Sequence, residues 1–133
     1  MIAVDTSVLI DFLRGATTPW AERLGELEAD QVPFFIPLIC YQEVLQGARE
    51  EREWKLLAAY LETQRMLTPP EPLALHREAA RIFFEGRRRG LTIRSTVDCF
   101  IAAQVLAVDA TLLHNDDDFE RIATLRPLRT IRG

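Results

Sequence analysis

Short apolar runs alternate along the chain with longer stretches in which apolar residues recur at helical spacing. Ile2-Ala3-Val4 reads as a strand ended by Asp5-Thr6-Ser7, and Val8 to Leu13 as a turn or two of helix before Gly15. Thr18 as N-cap and Pro19 at the first helical position open a second helix to about Ala29, with Trp20, Leu24 and Leu27 on one side. Prolines bound a second strand, Pro33 to Pro37. Leu38 to Arg49 and Glu51 to Gln64 read as helices, the latter with Trp54, Leu57, Ala58 and Leu61 in register. Met66-Leu67-Thr68, stopped by Pro69-Pro70, is a third strand. Leu73 to Arg89 is a long amphipathic helix closed by Gly90, and Thr96 to Val108 a helix apolar over most of its circumference. Thr111 to His114, Phe119 to Leu125 and Arg129 to Ile131 then read as strand, short helix and edge strand. This alternation predicts an α/β fold, a parallel sheet of about four to five short strands with helices on both faces and right-handed crossovers. Ligands of such folds bind beyond the carboxyl ends of the strands.

The chain has 133 residues and 15.2 kDa, 48% apolar and 27% charged, which suits one folded domain over 1–133 and not a disordered segment. Its longest uncharged stretch, Gln31 to Gln42, is only 12 residues and holds two prolines, short of the roughly 20 needed to span a bilayer. Asp5 interrupts the first apolar run and no basic region precedes it, so neither a membrane segment nor a secretory signal is expected, and the expected location is the cytoplasm. Cys40 and Cys99 are 59 positions apart, and the only histidines are His76 and His114. Structural zinc is thereby excluded, and the cysteines read as reduced core thiols.

The carboxylates sharpen the picture. Asp5 follows the first strand and Asp116 the fourth, so a parallel sheet brings both to one edge, although an Asp after a strand is commonly a cap or turn former. Asp98 has Ile101, Ala102 and Val105 at i+3, i+4 and i+7, which puts its charge on an apolar stripe. Burying a lone carboxylate costs several kcal/mol, so Asp98 needs a partner such as Arg94 or Arg81, a proton, or a cation. Glu43 lies one turn before Gly47, whose place inside a helix suggests close approach of another group. An exposed helical acid is the plainer reading of Glu43. In Asn115-Asp116-Asp117-Asp118 at least one acid serves to cap the following helix. Four distant segments that deliver oxygen donors to one place, without Cys or His, select a hard cation such as magnesium or manganese.

Asp5-Thr6-Ser7, Glu43-Val44-Leu45-Gln46-Gly47, Asp98-Cys99-Phe100-Ile101-Ala102-Ala103 and Asn115-Asp116-Asp117-Asp118-Phe119 resemble, in order and over the whole chain, the PIN-domain ribonucleases, above all the VapC toxins of toxin-antitoxin pairs. The resemblance implies an endoribonuclease dependent on Mg2+ or Mn2+, with a catalytic and metal-holding quartet of Asp5, Glu43, Asp98 and Asp116 and Asp118 as a fifth acid. It implies support of the first Asp by Thr6 or Ser7 and of the fourth by Asn115. It also implies hydrolysis of RNA by a metal-activated water, leaving a 5'-phosphate and a 3'-hydroxyl, a homodimer, and silencing by a small VapB-like antitoxin. One departure is His114, where many relatives carry Thr; a histidine there can hydrogen-bond a carboxylate or a substrate phosphate.

The net charge is -4, but setting aside the five candidate acids turns the balance slightly positive, and every basic residue except Lys55 is Arg. Arg87-Arg88-Arg89 and Arg94 could meet an RNA backbone, or simply form a solvated helix end favoured by the dipole. Two other classes fit some residues. An aspartyl-phosphate phosphatase also uses an Asp after its first strand, but this chain has Ser7 where a second Asp is expected, and only Lys55 as catalytic lysine. A cation-binding interaction module without turnover is the other alternative.

Overall fold

Five three-residue strands and seven helices succeed one another in a computed structural model that describes residues 1–133. Their order is β1 (Ile2–Val4), α1 (Thr6–Leu13), α2 (Pro19–Ala29), β2 (Phe35–Pro37), α3 (Leu38–Gln46), α4 (Glu51–Leu61), β3 (Arg65–Leu67), α5 (Pro72–Arg88), α6 (Thr96–Ala107), β4 (Thr111–Leu113), α7 (Asp117–Ala123) and β5 (Arg129–Ile131). All strands pair in parallel in the order β3-β2-β1-β4-β5. Val4 stands opposite Leu113, and the Asp5 N–H carries the ladder one step further to the Leu113 carbonyl at 3.0 Å.

The chain winds outward from β1 through β2 to β3, then crosses to β4 on the other side of β1 and continues to β5. Winding therefore reverses between β1 and β4, and the crevice beyond those two strand ends is the natural ligand position. Right-handed crossovers put α1 to α4 over one face and α5 to α7 over the other. The packing agrees, with α1 against α2 and α3, α5 along α6, and α6 against α7. Ala3, Val4, Ile36, Leu112 and Leu113 are wholly buried, as a sheet covered on both faces requires. Helix α6 buries Cys99, Ile101, Ala102, Ala103 and Val105, which explains why it is apolar nearly all round. Both cysteines are buried and unpaired. No helix is long and apolar enough to cross a membrane.

Several element ends differ from expectation: α4 stops at Leu61 and not Gln64, β2 begins at Phe35 and not Pro33, and β3 runs Arg65–Leu67 and not 66–68. Helix α3 ends at Gln46 and not Arg49, with Gly47 as its C-cap at an ordinary φ of -80°. A Cβ on Gly47 would meet only its own helix, the Val44 carbonyl at 3.4 Å and the Glu43 carbonyl at 3.8 Å, so no outside group crowds it. The close approach occurs instead at Gly86 in α5, where a Cβ would lie 2.8 Å from Cδ1 of Ile93. Gly90 closes α5 as expected: its φ is +73°, and the Leu91 N–H reaches back to the Gly86 carbonyl at 2.8 Å. Helix α7 starts at Asp117, two residues before the apolar pattern suggests, because Asp116 caps it.

Candidate active site

The acids begin as caps. Asp5, with extended backbone, is the N-cap of α1; its Oδ2 accepts the Ser7 N–H at 3.0 Å and the Ser7 hydroxyl at 2.5 Å. The same hydroxyl oxygen accepts the Asn115 N–H at 2.9 Å, so Ser7 ties the end of β1 to the segment after β4. Thr6 donates to Oε1 of Glu43 at 2.8 Å, which draws the half-buried Glu43 of α3 toward the same strand end. Of the two expected supports, Ser7 holds Asp5 and Thr6 holds Glu43. The Cys40 thiol also approaches Asp5 Oδ1 at 3.9 Å.

Beyond β4, Asp116 caps α7 by accepting the Asp118 N–H at 2.9 Å. Asp118 turns inward and is 1% exposed; its Oδ2 accepts the N–H groups of Arg94 and Ser95, both at 3.0 Å, and its Oδ1 accepts from Arg121 at 3.1 Å. Ser95 in turn caps α6, its Oγ facing the Asp98 N–H at 3.4 Å. Asp118 thus pins the start of α6, and with it Asp98, against α7. Oxygens of Asp98, Asp116 and Asp118 lie within 4.8 Å of one another. Asp117 points away to an ion pair with Arg132 at 2.8 Å and has no place in the cluster.

Asp98 carries the electrostatic tension. Its Oδ2 is buried without any hydrogen-bond partner. Neither arginine considered for it serves: Arg94 lies 3.8 Å from both Asp116 and Asp118, and Arg81 pairs with Glu85. Burial, and then the charges of Asp116 and Asp5, push the Asp98 carboxyl up to about 9. Burial also pushes Asp5 up to about 6 against the opposing hydrogen bonds of Ser7, with the Glu43 charge adding to the rise. An orphaned buried oxygen among oxygen-only donors fits a hard divalent cation, whose charge offsets the repulsion that otherwise keeps these acids protonated.

His114 makes no contact with substrate space, being wholly buried. Its Nδ1 accepts the Asp116 N–H at 3.0 Å, so its Nε2 carries the proton and donates to Glu120 Oε1 at 2.8 Å. Burial lowers its pKa and keeps it neutral. The histidine therefore fixes the backbone of the fourth acid, and the carboxylate it meets is Glu120. Asn115 contributes its backbone to Ser7, while its side chain accepts from Arg132 at 3.3 Å. Of the basic residues singled out, Arg94 faces the cluster, whereas Arg87 and Arg88 lie over the rings of Phe83 and Phe84 at 5.9 and 5.6 Å; Arg89 stands exposed beside them.

Sequence reading passes over Ser95, Arg121 and Glu120. Ser95 has a local signal, a Ser three residues before an Asp at a helix start. Arg121 and Glu120 have none, since each acts on a group set by tertiary packing.

Residues 2–125 match the PIN domain family. The chain is 31% identical over 132 residues to a VapC ribonuclease of Mycobacterium bovis and equally to ribonuclease VapC11 of Mycobacterium tuberculosis, an alignment covering 97% of this chain and 96% of each relative. Among solved structures it resembles VapBC2 from Rickettsia felis bound to a promoter DNA fragment, with TM-score 0.74 and 21% identity over 98% of both chains. It also resembles VapBC-1 from nontypeable Haemophilus influenzae, with TM-score 0.72 and 25% identity over 98% of this chain and 97% of that one. With four acidic segments gathered at the switch point of its sheet and matches over nearly its whole length, this chain belongs to the PIN-domain family, alongside the VapC ribonucleases.

Proposed function

We propose that the protein is a metal-dependent endoribonuclease, the toxin of a VapBC-type pair, in which Asp5, Glu43, Asp98 and Asp116 hold Mg2+ or Mn2+ at the ends of β1 and β4. The observation that carries this reading is the unpartnered Asp98 oxygen, buried amid carboxylates from other segments. A bound divalent cation supplies a lowered pKa for water and charge to offset that building on a phosphodiester in the transition state. The chain's own part is preorganisation. Ser7 and Thr6 aim Asp5 and Glu43; His114 holds the Asp116 backbone; Asp118 locks α6 to α7 through Oδ2, while its Oδ1 accepts from Arg121. Arg94, two-thirds exposed beside Asp116, is the cation best placed to meet a substrate phosphate.

The phosphatase alternative loses support, since Lys55 is exposed on α4 and Ser7 is engaged with Asp5. For partners, the reading includes RNA, a homodimer and a small VapB-like antitoxin, acting in the cytoplasm. Support for a partner face comes from α4, where Trp54 and Leu56 are 44% and 63% exposed beside a groove of about 340 Å³ between α1, α3 and α4.

Purified, antitoxin-free protein incubated with total RNA and Mn2+ or Mg2+ tests the reading. Cleavage is expected to disappear with chelator and in Asp98→Asn. Metal binding by a folded protein with no cleavage of any RNA would instead favour the non-catalytic module.

A further inference from the structure

Of the three clustered acids, Asp116 is the one that packing holds least: its side chain is 31% exposed, against 1% for Asp118, and Asp98 is buried. Hydrogen bonds place it instead. Its Oδ1 accepts the Asp118 N–H at 2.9 Å, and its own N–H is taken by Nδ1 of His114 at 3.0 Å. A threonine or asparagine side chain accepts the N–H two residues on without further help. Neutral histidine does so in only one of its two tautomers, because the other carries a proton on Nδ1 and sets two donors face to face. The ring of His114 therefore needs an acceptor at Nε2. Glu120 supplies it: its Oε1 lies 2.8 Å from Nε2 and also accepts the hydroxyl of Thr130, on β5, at 3.0 Å. Two donors thus fix a carboxylate that is 47% exposed. Phe119 packs on the imidazole with ring centroids 5.1 Å apart, and the His114 N–H reaches the Ile131 carbonyl at 3.1 Å, so ring and backbone are both held.

We propose that Glu120, outside the acidic cluster, is a positioning residue for the cation site: it selects the His114 tautomer that accepts from the Asp116 backbone, and so holds the fourth acid in place. The proposal rests on the reading of Asp116 as a cation ligand made above. Groups that orient a metal ligand from behind set metal affinity by about tenfold or more, although they never touch the ion. Glu120 acts here through two hydrogen bonds in series, Nε2 to Oε1 and then the Asp116 N–H to Nδ1. A plain fastening of α7 to β4 and β5 by the same contacts needs no particular tautomer and predicts a loss of stability alone.

The test measures Mn2+ affinity by titration calorimetry in the full chain and in its Glu120→Ala, Glu120→Gln, His114→Asn and His114→Asn/Glu120→Ala variants, each checked for folding by circular dichroism. Glu120→Ala, at a half-exposed position, is expected to weaken Mn2+ binding by about tenfold, and Glu120→Gln, which keeps an acceptor oxygen, to stay within about twofold of wild type. His114→Asn offers its own side-chain oxygen to the Asp116 N–H, so adding Glu120→Ala to it is expected to change nothing further. Long-range 1H-15N spectra read the tautomer directly, with His76→Ala assigning the two imidazoles. The proton is expected on Nε2 in wild type and Glu120→Gln, and distributed over both nitrogens in Glu120→Ala. An affinity unchanged in Glu120→Ala, or a wild-type proton on Nδ1, overturns the proposal. An equal loss in the His114→Asn background also overturns it, because Glu120 then acts by its charge and not through the ring. If the His114→Asn proteins fail to fold, the Glu120→Gln rescue and the tautomer decide. A wild type that shows this pattern but cuts no RNA sinks the nuclease reading and leaves Glu120 as assigned; one that binds no Mn2+ sinks both.

Discussion

At the scale of single residues, the proposed function and stability pull in opposite directions at Asp98. Its carboxyl is buried, its Oδ2 unpaired, and its neighbours are acids that push its pKa up to about 9. Asp98→Asn keeps the shape and removes the cost of holding that carboxyl protonated, so thermal denaturation in chelator at pH 8 should show a melting temperature several degrees above wild type. The same variant should lose the stabilisation that Mn2+ gives the wild type, along with RNA cleavage. Ser7 acts the other way. Its hydroxyl donates to Asp5 and accepts from Asn115 across 108 positions of sequence, and Ser7→Ala leaves both groups short of a partner. Such a loss costs about 1–3 kcal/mol, readable by urea denaturation, and Ser7→Thr should recover part of it. The carboxylates themselves are legible in the sequence because burial of a charge on an apolar stripe is a local anomaly. What holds them is mostly not: the Arg121 and His114 contacts depend on which backbone lies opposite, and no spacing rule encodes that.

At the scale of elements, the helices and strands are readable because each carries its own period and its own stops. Errors gather at the ends, where a cap outweighs the apolar pattern, as Asp116 does for α7 and Gly47 for α3. The glycine that matters for packing, Gly86, sits in mid-helix on α5 against Ile93 of the loop before α6, a closeness sequence cannot reveal. Gly86→Ala should be close to neutral. Its gain of about 1 kcal/mol in helix propensity offsets a small shift of the flexible Ile93 tip. Gly86→Val adds bulk that this tip cannot absorb, and should destabilise by about 1–3 kcal/mol in equilibrium unfolding.

At the scale of the whole molecule, the titration of the site sets a pH profile. Asp5 at about 6 and Asp98 at about 9 both lie above the unfolded carboxyl value of about 3.9. The folded chain therefore holds more protons than the unfolded chain between those values, and its stability falls as pH rises through that window. Buried, neutral His114 works in the opposite sense, since its lowered pKa makes the folded chain lose stability as pH falls below about 6.5. Without metal, the melting temperature should decline from near neutrality to pH 9, and saturating Mn2+ should flatten the decline. A level profile in chelator would contradict the assignment of strain to the acids. The parallel sheet is legible from alternation alone, but its strand order is not, because three-residue strands carry too little pattern to specify neighbours.

That strand order has a consequence for how the protein comes into being. Asp5 is made before every other acid of the cluster, and the strand that must lie beside it, β4, follows it by more than a hundred residues of chain. Until residues 111–118 have emerged and slotted against β1, Asp5 has no Asn115 backbone across from it and no Asp116 for company. A chain stalled short of that point therefore holds its first acid without the partners that complete the cluster, so the proposed site assembles late, by long-range pairing and not segment by segment.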